Sequence, residues 1–314
     1  MNLKVEKQPK NTYKILITIS KDEVNEAFEH ALEHEAKDFE TKGFRKGKAP
    51  KKVVKEKIDP TKLRSHALNH LLTDAYTRAV KEHKLMPIVS PQFDLEVFEE
   101  GKEGKVTMII VEKPEIKLGD YKKALKDLGA KKEKEKKGDE PVVISHQEVV
   151  DAIIKTGTIE VADSLVEEEV NRMMSSLIDQ TAKLGITMEQ YLESIKKKPA
   201  ELRAEYTKSA TSTLMADFLI TEIAKNEKIT VTDEEVEKTI SSIPDEKSRA
   251  ALSNPDQKLY VKAVLMKNKT LQTLTELATP EKSKKTKKEN VKSDKDKKKG
   301  ENKNDKDSAK KGSK

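Results

Sequence analysis

Histidines are the side chains of this sequence whose spacing comes closest to that of a chemical site. His30 with His34 and His66 with His70 each stand four residues apart, which places each pair on one face of a helix. Two imidazoles on one helix face can bind a metal ion, but neither pair specifies a third ligand. Solvated or helix-packed histidines explain the same spacing. We therefore expect no metal site and no cofactor.

Other catalytic patterns are missing from the sequence. Cysteine is absent, which excludes disulfides, thiol catalysis and cysteine metal sites. The sequence holds no glycine-rich nucleotide loop, no nucleophile elbow and no HExxH, so nothing indicates hydrolysis or ATP-driven work. The three glutamates at 167–169 are typical of a solvated helix face. We expect no catalytic residue.

A cluster of cations surrounds one phenylalanine in a glycine-bounded segment, residues 43–50. Between residues 42 and 57 the only acid is Glu56, and such a positive field attracts phosphate or an acidic protein surface. This segment is either an exposed docking loop or a solvated basic loop whose Phe44 packs back onto its own domain. The eight basic residues of this stretch are Lys42, Arg45, Lys46, Lys48, Lys51, Lys52, Lys55 and Lys57.

Two helix patterns flank this segment and must position it. Ser20 and Glu23 form a capping-box pattern, and apolar residues then recur at helical spacing as far as Phe39. Asp59-Pro60 predicts the start of another helix, since proline is favoured at the first helical position. The basic segment is therefore predicted to project from the end of the first helix.

Strand patterns stand on either side of those helices. Residues 13–19 alternate between apolar and polar side chains, as a half-buried strand requires. Residues 93–99 and 105–112 flank a glycine-containing turn and predict a hairpin. A strand, helices and a hairpin together predict a small α+β domain.

Residues 43–50 read Gly-Phe-Arg-Lys-Gly-Lys-Ala-Pro and resemble the ribosome-binding signature of trigger factor, a bacterial chaperone that meets nascent chains. Every fixed position of the family pattern, Gly-Phe-Arg-x-Gly-Lys-x-Pro, is present. The resemblance extends through Gly119 and resumes more loosely from about residue 141 to 278. It implies that the ribosome-binding residues are Gly43, Phe44, Arg45, Lys46, Gly47, Lys48 and Pro50.

Family members typically carry an FKBP-like prolyl isomerase domain between the two resembling parts. Here that place holds only a Lys-rich segment, residues 121–140, which is too short for a sheet-based domain. Its Lys and Glu content suits either a flexible tether or a charged helix. We expect no isomerase activity and no other enzymatic activity.

The remaining sequence is predicted to be helical up to a charged tail. Residues 281–314 hold 15 Lys and 7 acids, a balance of +8 against −1 for the rest of the chain. Such a composition is typical of disorder, because it buries too little apolar surface to offset the entropy of folding. The expected parts are an α+β ribosome-binding domain at 1–118, a charged linker at 119–140, an elongated all-helical substrate-holding domain at 141–279 and a disordered basic tail at 280–314.

Several predicted helices are apolar over more than one narrow stripe and are rich in methionine. Methionine is unbranched and polarizable and adapts to varied apolar partners, which a chaperone surface needs. Ordinary packing between helices is the alternative for any single residue. The candidate substrate-binding residues are Met173, Met174, Leu177, Ile178, Leu214, Met215 and Phe218.

The function that the resemblance implies, and that these patterns allow, is that of an ATP-independent, ribosome-associated chaperone for nascent polypeptides, with a role in protein export left open. The expected partners are the ribosome, at its protein and rRNA near the tunnel exit, and unfolded chains; a homodimer of the free protein is left open. No signal peptide opens the sequence and its longest apolar run, residues 106–111, is too short for a bilayer, so we expect a cytoplasmic protein without a membrane partner. The alternative is an RNA-binding or ribosome-assembly factor that uses the basic loop and tail.

Overall fold

The structure is a computed structural model that describes residues 1–136 and 142–280. The tail predicted to be disordered lies, apart from Pro280, outside the described residues. The described chain divides into two compact units. The first comprises Met1–Glu115 and the short segment Glu160–Leu165, and the second comprises Ile116–Ile159 with the described residues from Val166 onward.

The first unit is an α+β structure built on a four-stranded antiparallel sheet with strand order β1-β2-β4-β3. Three helices connect the second strand to the third. In chain order the elements are β1 (Asn2–Gln8), β2 (Thr12–Ile19), α1 (Lys21–Asp38), α2 (Lys51–Lys57), α3 (Pro60–His83), β3 (Gln92–Val97) and β4 (Gly104–Val111). This order confirms the predicted strand, helices and hairpin.

The core of the first unit lies on one face of the sheet, under α1 and α3. Alternate residues of β2 point into it, and Ile15 and Ile17 pair with Met108 and Val106 of β4 in the antiparallel register. All four side chains are buried because the period of two places them on the same face.

Both long helices of this unit begin at the predicted signals. Ser20 accepts a hydrogen bond from the backbone N–H of Glu23, whose carboxylate in turn accepts one from the Ser20 N–H at 3.0 Å. Asp59 caps α3 by accepting from the Thr61 N–H at 2.8 Å. These caps satisfy backbone donors that the first helical turn leaves free, and thereby fix where α1 and α3 start.

The second unit is mostly helical. A two-stranded ladder of β5 (Ile116–Lys117) with β6 (Thr158–Ile159) accompanies the helices, and the prediction of helices alone in this region missed β6. The helices are α4 (Tyr121–Glu135), α5 (His146–Thr156), α6 (Asp163–Lys183), α7 (Met188–Ser194), α8 (Pro199–Asn226), α9 (Asp233–Ser241), α10 (Glu246–Leu252) and α11 (Pro255–Ala278).

Helix α4 occupies the segment for which the sequence left a tether and a charged helix open. Leu125 of α4 is fully buried in a cluster with residues of α5, α8 and α11. Gly129 lets α4 approach the end of α11 closely, since a Cβ there would lie 2.0 Å from the carbonyl oxygen of Ala278. Residues Tyr121–Glu135 of this segment therefore form a helix that contributes to the helical core.

An ion pair reinforces the contact between α4 and α5. The ammonium of Lys132 binds the carboxylate of Glu148, which also completes the capping box with Ser145. Lys132 and, after it, the Ser145 backbone N–H lower the pKa of Glu148 to about 2, because both bind the ionised carboxylate.

Candidate functional site

The basic loop connects α1 to α2 through two consecutive tight turns. Phe44 N–H donates to the Thr41 carbonyl at 3.2 Å, and Lys48 N–H donates to the Arg45 carbonyl at 2.9 Å. The third position of each turn is a glycine with positive φ, +93° at Gly43 and +72° at Gly47. Positive φ at that position is the requirement of a type II turn, which glycine meets without strain. The glycine spacing of the sequence thus builds a defined double turn.

The two glycines differ in what surrounds them. A Cβ at Gly43 would meet no atom within 4 Å, whereas a Cβ at Gly47 would lie 2.6 Å from the backbone oxygen of Lys37. Gly47 N–H also donates to the Phe39 carbonyl at 3.1 Å, which ties the second turn back to the end of α1. Gly47 therefore anchors the loop, and Gly43 shapes its tip.

Phe44 lies at the tip and is 44% exposed, while two apolar neighbours hold the base of the loop. Phe39 and Ala49 are partly buried against the core of the first unit. Pro50 then occupies the N-cap position of α2, and the fully buried Val54 anchors this helix. The loop is thus fastened at both ends, and its aromatic ring remains accessible.

The cations of the loop divide into paired and unpaired groups. Lys46 lies 3.2 Å from Asp38, Lys51 pairs with Glu33, and Lys55 lies 2.6 Å from Glu100. The ion pair with Lys51 holds the pKa of Glu33 below its usual value.

Three unpaired cations flank Phe44 along the chain. Lys42, Arg45 and Lys48 are exposed and form no ion pair with any residue that the structure describes. Their charge is available to a partner, whereas much of the charge of α2 is already paired. All seven residues that the resemblance assigns to ribosome binding lie in this one loop: Gly43, Phe44, Arg45, Lys46, Gly47, Lys48 and Pro50.

The candidate substrate-binding residues of the second unit are less uniform. Met173 and Leu177 of α6 line an open groove of about 240 Å³ together with Tyr206 of α8. Leu177 is nevertheless buried, and Ile178 is the exposed member of the α6 group. The remaining candidates are half-buried: Met173, Met174, Leu214, Met215 and Phe218.

Other apolar residues of the second unit are more exposed than these candidates. Leu184, just after α6, is 77% exposed, and Leu259 and Tyr260 of α11 are 67% and 65% exposed. Val261 and Leu265 of α11 pack against α9 and α10 instead. The sequence analysis missed the exposed set, because exposure on α11 depends on which of its faces α9 and α10 cover.

The fold and this loop define a class of protein in which an α+β unit displays a basic loop with an aromatic tip and a helical unit presents apolar side chains. Two family models match the chain over overlapping ranges: bacterial trigger factor protein over residues 1–149, and the C-terminus of that protein over residues 118–276. The chain belongs to the bacterial trigger factor family.

Individual relatives agree with that assignment. The trigger factor of Streptococcus agalactiae serotype Ia is 29% identical over 253 residues, which cover 78% of this chain and 59% of the relative. The trigger factor of Clostridium botulinum strain Hall is 38% identical over 122 residues, which cover 39% of this chain and 28% of the relative. The chain thus spans less than two thirds of the length of the curated relatives that it matches.

A solved structure shares the fold. It is described as "Promiscuous Substrate Recognition in Folding and Assembly Activities of the Trigger Factor Chaperone", and it matches 88% of this chain and 100% of its own length with a TM-score of 0.55. The sequence identity is 16%, so this likeness establishes the fold alone. Within the described residues, no helix is long and apolar enough to cross a membrane.

Proposed function

We propose that this chain is an ATP-independent, ribosome-associated chaperone that holds nascent polypeptides near the tunnel exit and prevents premature folding or aggregation. The observation that carries the proposal is the accessible Phe44, held among unpaired cations on a loop fastened at both ends. Membership of the trigger factor family supports the same function. The proposed place of action is the cytoplasm.

Docking combines an apolar and a charged contact. The Phe44 ring suits an apolar pocket on a ribosomal protein, and the guanidinium of Arg45 can pair bidentately with a carboxylate or an rRNA phosphate. Because the double turn fixes the backbone before binding, little conformational entropy is lost when the loop docks. Anchoring then raises the local concentration of the chaperone at the emerging chain.

Client holding is assigned to the second unit. Its exposed apolar side chains, Ile178, Leu184, Leu259 and Tyr260, offer separate weak contacts to unfolded segments. The half-buried methionines Met173 and Met174 lie on the same helix as Ile178 and extend this surface. Many weak contacts allow binding and release without a nucleotide cycle.

We also propose that the chain lacks prolyl isomerase activity. The two family models overlap between residues 118 and 149, so they leave no stretch between them for a further domain. The segment at that place forms α4, a helix of the helical core. A proline-limited refolding assay tests this: the refolding rate of the client should not rise with added chain, and a rise with concentration would refute the proposal.

Co-sedimentation with ribosomes across a salt series tests docking. The variant Phe44→Ala/Arg45→Ala/Lys46→Ala should lose most binding, while a chain that ends at Thr279 should retain it. The matched control is Lys51→Ala/Lys52→Ala/Lys55→Ala, which removes three charges from α2 and leaves the tip intact. It should bind more tightly than the tip variant, because two of its three lysines are already paired with acids.

The alternative of an RNA-binding or ribosome-assembly factor gives the opposite pattern. Binding that depends on phosphate contacts falls steeply with salt and follows the number of charges removed, so the α2 control, which loses three charges, should be weakened at least as much as the tip variant, which loses two. Retention of binding by the tip variant, together with its loss in the chain that ends at Thr279, would make the tail the anchor and refute docking through Phe44.

A further inference from the structure

Four histidines form two rows where α1 packs on α3. The rings of His34 and His66 have centroids 4.7 Å apart in an edge-to-face arrangement, and those of His30 and His70 have centroids 5.1 Å apart. The sequence predicted one pair on each helix. Helix packing instead joins each histidine of α1 to one of α3, which brings candidate ligands together from two elements.

Glu35 adds a third group to one of these rows. Its Oε1 lies 3.1 Å from Nδ1 of His66, and one ligand atom from each of His34, Glu35 and His66 lies within 4.8 Å of the other two. The Glu35 side chain is only 15% exposed.

We propose that His34, Glu35 and His66 form a binding site for a divalent transition-metal ion of the zinc class. Two imidazoles and a carboxylate are a ligand set of three-ligand zinc sites, in which water takes the fourth position. Imidazole ligands also favour zinc, nickel and copper over magnesium and calcium. Within the residues that the structure describes, His30 and His70 belong to no such group of three.

Lys62 is the cation that Glu35 holds in this structure. Its ammonium binds Oε2 of Glu35, the oxygen that does not face His66. A metal ion on Oε1 shares the same carboxylate with this ammonium, and the two positive charges repel each other. Removing the charge of Lys62 should therefore not weaken metal binding. This result is expected if Glu35 binds the metal ion itself, and is not expected if the ion pair of Glu35 with Lys62 only supports the structure around the histidines.

Metal binding would fasten the end of α1 to α3. His34 and Glu35 lie in the last two turns of α1, which ends at Asp38, directly before the basic loop. A metal that binds only the folded state stabilises it by mass action. At a concentration about 100-fold above its dissociation constant, the ratio of folded to unfolded protein rises about 100-fold.

The test titrates the full chain, without an affinity tag, with Zn²⁺ alone and with Co²⁺ alone. Calorimetry gives the stoichiometry and affinity, the visible absorption of Co²⁺ reports the ligand geometry, and thermal unfolding reports stabilisation. The site variants are His34→Ala, His66→Ala and Glu35→Gln. The matched controls are His83→Ala and His146→Ala, which remove histidines outside the cluster.

One metal ion per chain is expected, with affinity reduced ~10-fold or more in each site variant and unchanged in both controls. Lys62→Gln should bind at least as tightly as the parent. Parent affinity no higher than that of His34→Ala would overturn the proposal, as would equal losses in the control variants. Circular dichroism of each variant before titration shows whether the helices are retained, so that loss of binding is not confused with unfolding.

Discussion

At the scale of single residues, the loop depends on two glycines that have different structural roles. Both adopt positive φ, but only Gly47 lies against backbone, at the carbonyl of Lys37. The sequence predicted an exposed loop here, because glycines and a proline bound the segment. It could not predict that Gly47 touches α1, nor which lysines find acidic partners, because both depend on the chain path around the loop.

Alanine substitution separates the two roles. Gly43→Ala should lower the free energy of unfolding by about 1 kcal/mol, the cost of positive φ for a residue with a Cβ. Gly47→Ala should cost at least about 1 kcal/mol more, since its Cβ also overlaps the Lys37 carbonyl oxygen. Urea unfolding of both variants with an unchanged m-value measures the difference. Equal losses would show that the loop shifts freely away from α1.

At the scale of elements, local signals were predictable and packing was not. The capping box at Ser20 and the Asp59-Pro60 signal are local, and the structure confirms both as starts of α1 and α3. The composition of residues 121–140 suited two conformations, because few of its residues are apolar. Residues Tyr121–Glu135 form a helix because Leu125 and Tyr121 are buried against helices that are distant in the sequence.

The contribution of α4 can be measured by truncating its buried side chain. Leu125→Ala should reduce the free energy of unfolding by about 2–5 kcal/mol, because it leaves a cavity among α4, α5, α8 and α11. The exposed neighbour provides the control: Lys126→Ala should change the free energy of unfolding by less than about 0.5 kcal/mol. Denaturant unfolding followed by circular dichroism measures both. Similar small effects would mean that the segment behaves as a tether in solution.

The ion pair between Lys132 and Glu148 makes part of the stability depend on pH. The folded-state pKa of Glu148 is lowered from 4.5 to about 2, so its contribution is complete above pH 4.5 and is lost as the pH falls towards 2. We expect the ion pair to contribute about 1 kcal/mol to the free energy of unfolding, since it is about one third exposed and water screens it.

Unfolding free energies of the parent and Glu148→Gln, measured between pH 2 and 7, test this dependence. The difference should be constant above pH 4.5 and shrink below it. Lys132→Gln should lose part of the same dependence, because Lys132 is the main cause of the lowered pKa. A difference that is independent of pH down to 2 would show that the negative charge of Glu148 contributes nothing to stability.

At the scale of the whole molecule, the chain carries two surfaces on two compact units. The loop of the first unit follows from a local motif, so the sequence predicted its place after α1, while the binding role of its residues stays a prediction. Of the exposed apolar residues of the second unit, the sequence identified Ile178 but not Leu184, Leu259 or Tyr260, since helical spacing shows that a stripe is apolar without showing which stripe another helix covers. Leu177 is buried whereas Leu259 is exposed, although both lie in apolar stretches of long helices.

At this scale we predict that ribosome binding and client binding can be lost independently of each other. Leu184→Ser/Leu259→Ser/Tyr260→Ser should weaken the suppression of aggregation of an unfolded client several-fold while ribosome co-sedimentation is unchanged. These side chains are at least 65% exposed, so the helical circular dichroism should also be unchanged. The loop variant Phe44→Ala/Arg45→Ala/Lys46→Ala should do the reverse in the same assays. If the serine variant suppressed aggregation as well as the parent, client binding would have to be assigned to the half-buried methionines of α6 or to the first unit.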